Sequence, residues 1–272
     1  MALSFDILTI FPGMFSGVLG ESMVARAIDA GLIDVELTDI RDFSTDRHQK
    51  VDDRPYGGGP GMVFKPEPVV AAAEHVLARG KAESERTRRI LLTPQGKRLE
   101  QRDLRELAEA DWIVLLCGHY EGMDERIQEV LRFEEFSIGD YVLTGGELPA
   151  MVVLDGVSRL VPGVLGHPDS AANESFENGL LDCPHYTRPF VFRDLEVPEV
   201  LISGDHRRIA AWRREQSLRR TRERRGDLLP PEGGADGDTE EGEQRGQSIV
   251  ARAAASSGLE GSNESLSDYW SG

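Results

Sequence analysis

The first 160 residues alternate between short apolar runs and segments in which apolar side chains have helical spacing. The apolar runs at residues 3–11, 35–40, 89–93 and 112–117 predict strands. We expect the third strand to stop at Pro94, because proline cannot donate to a sheet ladder. Strands that alternate with helices favour an α/β domain with a largely parallel sheet.

Apolar residues recur at intervals of three and four in the segments between these strands. This spacing predicts helices, which we place at residues 14–30, 67–79, 100–110, 124–132 and from 147 to about 160. Beyond residue 182 the chain is rich in arginine, and two further helices are predicted near residues 205–214 and 215–225. This last region is therefore expected to form a small helical domain.

A glycine-rich stretch at residues 137–150 follows a short apolar segment and leads into another apolar run. Gly139, Gly145 and Gly146 lie within eight residues, where a chain turns tightly or lets a ligand approach its backbone. Pro149 fits the first turn of a helix, because its missing N–H would be unpaired there. We interpret the stretch as a loop followed by a helix N-terminus, and an ordinary glycine-rich turn is the alternative.

Two more loops that contain glycine follow predicted strands, at residues 92–97 and 117–124. In an open α/β sheet, ligands bind beyond the carboxyl ends of the strands. The chain has no G-x-G-x-x-G pattern, and Arg98 stands after Gly96-Lys97 where a phosphate-binding loop has serine or threonine. Three coinciding loops therefore predict a small-molecule site of a less common type.

The composition of the 272 residues, 39% hydrophobic and 29% charged, is typical of a globular protein. The longest strongly apolar run, residues 112–117, is far too short to span a membrane. The N-terminus lacks the basic region and cleavage site of a signal peptide. Cys117 and Cys183 are isolated, which indicates reduced thiols rather than a disulfide or a zinc site. These features predict a cytoplasmic protein with no membrane partner.

Charge is distributed unevenly along the chain. Of the net charge of −17, residues 230–272 contribute −7, because they carry nine acidic and two basic side chains. Residues 205–225 instead contain nine arginines against three acidic residues, with Trp212 among them. This tract predicts contact with RNA phosphate. A solvated helix face on which Glu215 and Glu223 pair with arginines is the simpler alternative.

These patterns divide the chain into an α/β domain at residues 1–161, an interdomain linker at 162–180, an arginine-rich helical domain at 181–229 and a tail at 230–272. The linker shows no apolar period, and the tail is acidic and rich in glycine and serine. We expect the tail to be disordered, because it has too few apolar residues to form a core.

Four unusual motifs occupy residues 54–62, 118–124, 137–150 and 179–189. Together they resemble the bacterial tRNA (guanine-N1)-methyltransferase family, and the resemblance runs in order from residue 3 to about residue 229. It implies a SPOUT-type α/β domain with a deep trefoil knot, a helical C-terminal domain that binds tRNA, and a homodimer. The implied reaction is methyl transfer from S-adenosylmethionine to N1 of guanosine 37, next to the anticodon.

In that family the three glycine-containing loops hold S-adenosylmethionine. Matched residue by residue, the resemblance implies these pocket positions: Leu92, Pro94, Gly118, Tyr120, Glu121, Ile138, Gly139, Asp140, Tyr141, Val142, Leu143, Gly145, Gly146 and Pro149. The residue types agree, because turns rich in glycine let backbone groups hold adenine between apolar walls. Tyr120 and Tyr141 could instead be core aromatics, and we expect His119 to shape its loop or to pack rather than to catalyse.

The N1 atom of guanine carries a proton at neutral pH and must lose it before it can accept a methyl group. The resemblance implies that Glu174 is the base and that Arg159 stabilises the charge on O6. Glu174 departs from the family's usual aspartate, and Asp169 is its local competitor. A solvated Glu174 and an Arg159 that only caps a helix are the simpler interpretations. The sequence leaves open whether Mg²⁺ is required.

Two other functions fit the same sequence. A SPOUT methyltransferase that acts on ribose or on another base would not need the carboxylate of Glu174. An RNA-binding protein without catalysis would keep the arginine tract but would not bind S-adenosylmethionine.

Overall fold

The computed structural model describes residues 2–79, 86–166 and 174–230. These residues belong to two compact units, and the division between the units falls inside the predicted linker. The predicted disordered tail lies outside the described residues, except for Pro230. No helix in the described ranges is both long and apolar enough to cross a membrane.

The first unit is built on parallel strands. Its strands are β1 (Leu3–Thr9), β2 (Ile33–Asp39), β3 (Asp52–Asp53), β4 (Val63–Phe64), β5 (Thr87–Arg98), β6 (Trp112–Cys117) and β7 (Glu134–Ser137). Five of them form one sheet in the order β2-β1-β6-β5-β7, and every neighbouring pair is parallel. The short strands β3 and β4 pair antiparallel to each other. The α/β domain with a largely parallel sheet is therefore confirmed.

Helices connect these strands. They are α1 (Ser16–Gly20), α2 (Ser22–Asp29), α3 (Pro66–Leu77), α4 (Gln101–Ala108), α5 (Glu125–Leu131) and α6 (Glu147–Ser158). Short 3₁₀ helices occur at Pro12–Phe15 and Ile40–Phe43. Helix α4 begins with a reciprocal capping arrangement between Glu100 and Asp103, which satisfies two backbone N–H groups.

The central strand β6 is buried along its whole length. Its side chains alternate between the two faces of the sheet: Ile113 and Leu115 join a core with α2, α4 and α6. Val114 and Leu116 join a second core with α3 and α5. A strand covered on both faces has a continuous apolar sequence, which is the pattern that predicted β6.

The helix predicted at residues 14–30 is wrong as a single element, because the chain breaks it twice. A 3₁₀ turn at Pro12–Phe15 leads into α1, and α1 ends before Glu21, which is extended at φ −134° and ψ 156°. Ser22 then adopts a positive φ of 59° before α2 continues. Gly20 and Ser22 are poor helix formers, and they flank the break.

The prediction that the third strand stops at Pro94 is also wrong. Strand β5 continues to Arg98, but its register with β7 shifts, so that both Leu92 and Lys97 are paired with Phe136. The pairing with β6 ends at Leu92. Pro94 therefore lies in an irregular segment on the β7 side, where no regular ladder needs its missing N–H.

The second unit contains a short antiparallel pair, β8 (Val191–Phe192) and β9 (Leu195–Glu196). A 3₁₀ helix at Glu199–Ile202 precedes the long helix α7 (His206–Arg224), and another 3₁₀ turn covers Gly226–Leu228. The prediction of two helices here is wrong, because residues 213–216 are good helix formers and contain no breaker. Asp205 caps α7, since its carboxylate accepts from the N–H groups of Arg207 and Arg208, both at 3.1 Å.

Candidate functional site

A cavity of about 300 Å³ lies where the three glycine-containing loops meet. The first loop is the irregular part of β5 between Leu92 and Lys97, and the other two begin after Cys117 of β6 and Ser137 of β7. These three are neighbouring strands of the sheet. The sheet order therefore explains why loops that are far apart in sequence line one space. The volume is at the lower end of the range for small-molecule pockets, which is about 300–1,000 Å³.

Thirteen of the fourteen predicted pocket residues line this cavity. They are Leu92, Pro94, Gly118, Tyr120, Glu121, Ile138, Gly139, Tyr141, Val142, Leu143, Gly145, Gly146 and Pro149. Asp140 is exposed and is not part of the lining. Lining residues that the sequence analysis did not name include Gln95, Met123 and Glu135. Gln95 and Met123 lie within the glycine-containing loops at residues 92–97 and 117–124, but the loop sequences do not show which side chains face a cavity. Glu135 lies outside these loops, in β7.

The second and third loops are joined through their backbones. The N–H of Gly146 donates to the carbonyl oxygen of Gly118 at 2.7 Å, and His119 forms a β-bridge with Gly145. A Cβ atom on Gly146 would lie 2.8 Å from both the Cα of Cys117 and the backbone nitrogen of Gly118. Because backbone atoms cannot move aside as side chains do, this position requires glycine.

Tyr120 is a wall of the cavity rather than a core residue. It adopts a positive φ of 63°, which is uncommon for a bulky side chain. Its ring packs edge-on against Phe64, with centroids 5.1 Å apart. Partial burial raises the pKa of the phenol, Asp52 raises it further, and Arg41 lowers it. The hydroxyl therefore stays neutral at physiological pH.

A buried carboxylate supports the third loop from below. Glu147, the first residue of α6, is 1% exposed. Its Oε1 accepts a hydrogen bond of 2.8 Å from the hydroxyl of Thr9, and its Oε2 lies 3.7 Å from Nδ1 of His119. That separation is too long for a hydrogen bond. Neither Glu147 nor Thr9 was among the predicted site residues, although an acidic residue in the first turn of a helix is a known stabilising signal.

Glu147 also affects its buried neighbour Cys117. Burial raises the pKa of the Cys117 thiol well above its usual value, and the charge of Glu147 raises it further. A neutral buried thiol is a poor nucleophile. Buried Cys117 therefore packs beneath the loops as a neutral, apolar side chain.

The lining carries negative side chains but no lysine or arginine among the described residues. Glu121, Asp124, Glu125 and Glu135 are the acidic members. Arg126 neutralises one of them, because two guanidinium hydrogen bonds of 2.8 and 2.7 Å lower the pKa of Asp124. The cavity is therefore suited to a ligand with positive charge and unsuited to a phosphate.

Comparison with known proteins identifies the family. The family model for tRNA (Guanine-1)-methyltransferase TrmD matches residues 3–231. A tRNA (guanine-N(1)-)-methyltransferase of Geobacillus kaustophilus is 55% identical over 224 residues, which cover 82% of this chain and 90% of the relative. One of Pelotomaculum thermopropionicum is 56% identical over 231 residues, which cover 85% and 91%. The chain belongs to the TrmD family.

The two catalytic residues that the family resemblance implies lie in different units of this TrmD-family chain. Arg159 follows the last turn of α6 in the first unit, where its N–H donates to the carbonyl oxygen of Asp155 at 3.1 Å. Glu174 belongs to the second unit, where its carbonyl oxygen accepts from the N–H of Glu177 at 3.4 Å. Asp169, the competitor for the role of base, lies outside the described residues.

The second unit presents the arginine tract to solvent. Seven arginines of α7 are exposed: Arg207, Arg208, Arg213, Arg214, Arg219, Arg222 and Arg224. Trp212 contacts Tyr186, with ring centroids 6.2 Å apart. Thr221 is buried, and its hydroxyl accepts a 2.9 Å hydrogen bond from the N–H of Leu181. One side of α7 is thus fixed within the unit while its arginines remain available.

The described residues offer no cluster of three or more histidine, cysteine, aspartate or glutamate side chains that could hold a metal ion. Near Cys183, the imidazole of His185 pairs with the carboxylate of Asp182 at 2.8 Å. Burial raises the pKa of the Cys183 thiol, and Asp182 adds to the effect. This neighbourhood accordingly gives no support to a metal or nucleophile role for Cys183.

Proposed function

We propose that this TrmD-family chain transfers a methyl group from S-adenosylmethionine to N1 of guanosine 37 in tRNA. The observation that carries the proposal is the cavity formed by the three loops, which has acidic side chains and no lysine or arginine in its described lining. The relatives named tRNA (guanine-N(1)-)-methyltransferase, with about 55% identity over most of the chain, support the same reaction.

The cavity fits the methyl donor chemically. S-adenosylmethionine carries a sulfonium and an ammonium group against one carboxylate, so its net charge is positive, and bound to the enzyme it supplies the methyl group. Glu121 and Glu135 favour such a ligand through Coulomb attraction. Backbone groups of Leu92, Ile138 and Gly139 can hold the adenine, because the turns expose N–H and C=O groups beside apolar walls.

The chemistry at the nucleobase is assigned to Glu174 and Arg159. A carboxylate at Glu174 would remove the N1 proton, which makes N1 nucleophilic. A guanidinium at Arg159 would stabilise the negative charge that then develops on O6. The extra methylene of glutamate, compared with the usual aspartate of the family, requires a small shift of the linker backbone.

We further propose that the three loops form the trefoil knot of the SPOUT fold and that two copies of the chain form a homodimer in the cytoplasm. Each active site would then combine Arg159 of one copy with Glu174 of the other. The linker, residues 162–180, is long enough to reach a second copy, and its ordering on a flipped-out guanine would link catalysis to the correct substrate.

The second unit is proposed to bind the tRNA backbone. Exposed arginines on α7 provide charge for phosphate contacts, and Trp212 and Tyr186 add aromatic surface. Such contacts give affinity that falls with salt and carry little sequence information. Base discrimination must therefore come from the residues around the target guanosine and not from the arginines of α7.

Methylation of a tRNA transcript with guanosine at position 37, compared with one that has adenosine there, tests the proposed reaction. We expect methyl transfer only to guanosine. Glu174→Gln should lose about 100-fold or more in turnover, because an amide cannot accept the N1 proton. Glu174→Asp, which restores the family's usual residue, is the matched control and should stay active. In calorimetry, Glu174→Gln should bind S-adenosylmethionine as tightly as the wild type. Full turnover in Glu174→Gln would contradict the role of Glu174 as the base.

Mixing experiments test the shared site. Glu174→Gln and Arg159→Ala homodimers should both be nearly inactive. Heterodimers formed from the two variants contain one site with both wild-type residues if the residues of a site come from different copies. Recovered activity would support a shared site, whereas inactive heterodimers of proven composition would place both residues in one copy.

A further inference from the structure

Tyr56 is the most exposed large apolar side chain in the described part of the protein. Its exposed fraction is 99%, whereas Tyr120 and Tyr141 in the cavity wall are 41% and 55% exposed. Burial of an aromatic ring contributes favourable free energy, and the Tyr56 ring makes no such contribution in the isolated chain because it is fully exposed. A position that holds tyrosine under these conditions indicates a partner for the ring outside the chain.

The loop that carries Tyr56 projects from the surface. Gly57, Gly58 and Gly59 all have positive φ, at 84°, 76° and 124°. A Cβ atom at any of the three would meet nothing within 4 Å. The glycines are therefore required by the backbone path and not by close packing. One turn hydrogen bond, from the N–H of Gly58 to the carbonyl oxygen of Pro55 at 3.3 Å, shapes the tip.

The base of the same loop is attached to the cavity wall. The N–H of Glu121 donates to the carbonyl oxygen of Met62 at 3.0 Å, and the N–H of Phe64 donates to the carbonyl oxygen of Gly122 at the same distance. Gly61 lies so close to Glu121 that an added Cβ would be 2.3 Å from its Oε1. Glu121 lines the cavity. The loop is thus positioned at the rim of the site where the methyl donor is proposed to bind.

Exposed arginines occur in the loop that carries Tyr56 and at the start of α5. Arg54 is two residues earlier and is exposed. Arg126, the second residue of α5, donates two guanidinium hydrogen bonds to the carboxylate of Asp124. The side chain of Arg126 is 64% exposed. Asp124 lines the cavity and holds Arg126 in place, and the base of the Tyr56 loop is bonded to the same cavity wall, so cationic groups and an exposed ring lie at one rim.

We propose that Tyr56 stacks on a base of the tRNA anticodon loop next to the target guanosine, with Arg54 and Arg126 contacting the adjoining phosphates. Proteins recognise unpaired RNA bases chiefly by stacking them on aromatic rings beside cationic side chains. The inference rests on the proposed function, because it requires a guanosine at the cavity. It assigns to the first unit a part of substrate selection that the arginines of α7 cannot provide, since phosphate contacts do not distinguish bases.

Three substitutions separate stacking from other roles of the side chain. Tyr56→Ala removes the ring, Tyr56→Leu keeps apolar area without a π-face, and Tyr56→Phe keeps the ring without the hydroxyl. Loss of one base stack corresponds to about a five-fold to 150-fold weaker interaction. We expect KM for tRNA to rise by this factor for Tyr56→Ala and for most of it to persist in Tyr56→Leu. Tyr56→Phe should behave as wild type.

Other measured quantities should stay constant. A stack that is equally strong in the bound substrate and in the transition state changes KM and leaves kcat unchanged. The Kd for S-adenosylmethionine should not change in any of the three variants, because Tyr56 is not among the residues that line the cavity. A changed Kd for the methyl donor, or an unchanged KM for tRNA in Tyr56→Ala, would overturn the proposal.

Modified tRNA identifies the contacted base. One substrate carries an abasic nucleotide immediately 5′ of the target guanosine, and a second carries it immediately 3′. If Tyr56 stacks on one of these bases, the tRNA that lacks this base should bind the wild-type protein more weakly. The same tRNA should bind the Tyr56→Ala variant about as well as unmodified tRNA does. If each abasic substrate instead loses the same factor in affinity with wild-type protein and with Tyr56→Ala, the ring and the neighbouring bases do not interact.

A second copy of the chain is the other molecule that could cover the Tyr56 ring, and measuring the oligomeric state tests this alternative. If the ring instead packs against a second copy of the chain, Tyr56→Ala should weaken the dimer in sedimentation equilibrium, and that result would overturn the proposal.

Failure of the proposed function gives a different pattern of results. Wild-type protein that does not methylate guanosine would refute the function, whereas a wild-type enzyme that methylates as expected and a fully active Tyr56→Ala variant would refute only the stacking.

Discussion

Helices α6 and α7 show two different ways in which one chain stabilises and uses a helix. Six of the twelve residues of α6 are buried, and they pack against the sheet and beneath the cavity. In α7, which has nineteen residues, only Gln216 and Thr221 are buried, and both are polar. Helix α6 is therefore held by apolar packing, and α7 by its Asp205 cap, a few polar contacts and intrinsic helix propensity.

This difference separates two functions. A helix that is buried on one side positions backbone groups accurately, which a small-molecule pocket requires. A helix with solvated arginines does not hold ligand groups accurately, but it supplies positive charge that acts over about 10 Å at moderate salt. Substitutions around α6 should therefore change folding and methyl-donor binding together, whereas substitutions on α7 should change tRNA affinity alone.

The largest effect is expected at the start of α6. Gly146→Val should abolish measurable S-adenosylmethionine binding, because its Cβ would meet the backbone of Cys117 and Gly118 at 2.8 Å. Gly146→Ala places the same atom there and should cost about 1–3 kcal/mol of binding or folding free energy. Calorimetric titration and thermal melting measure the two costs.

Gly17→Ala is the matched control for Gly146→Ala, since nothing lies within 4 Å of the added atom in α1. It should leave methyl-donor affinity unchanged and raise stability slightly, as alanine is the better helix former. Normal S-adenosylmethionine affinity in folded Gly146→Val protein would show that the cavity is not the binding site.

A smaller effect is expected at the buried carboxylate. Thr9→Val removes the hydroxyl that donates to Glu147 and that also accepts from the N–H of Phe11 at 2.9 Å. Leaving buried polar groups unsatisfied costs about 1–3 kcal/mol, so the free energy of unfolding should fall by this amount. Thr9→Ser keeps the hydroxyl and should retain most of the stability. Denaturant unfolding measures both variants. Unchanged stability in Thr9→Val would contradict a stabilising role of the hydroxyl, and a loss of stability confined to Thr9→Ser would assign the effect to the methyl group.

On α7, replacement of Arg213 and Arg214 by alanine should weaken tRNA binding without a change in melting temperature. Each lost phosphate contact should lower the slope of log K against log salt by about 0.7–0.9. Arg102→Ala on α4 removes an exposed charge from the first unit and is the control. Binding titrations at several salt concentrations give the slopes. An unchanged slope in the double variant would remove α7 from the tRNA-binding surface.

The smallest effect is expected from truncation after Leu229. The removed segment is acidic and has no apolar period, so it should contribute little to either unit. Melting temperature and methylation rate should stay within error of the full chain. A clear decrease in either would show that the tail docks on the protein.

Much of the site could be predicted because its signals are local. Glycine and proline in the three loops mark turns by their own backbone preferences, and thirteen of the fourteen predicted pocket residues do line the cavity. Asp140 lies in one of these loops but is exposed and does not line the cavity. This residue could not be predicted correctly, because a motif does not specify which side chains face inward. The roles of Glu174 and Arg159 remain predictions.

The sequence by itself determined the alternation of strands and helices, the buried strand β6, the loops and the exposed arginine tract. Only the tertiary structure decided that β5 passes through Pro94, because the register shift depends on its neighbour β7. It also decided that Thr9 reaches Glu147, 138 residues away, since β1 lies beside β6 under α6. Local propensities depend on neighbouring residues, whereas such contacts depend on the order of strands in the sheet.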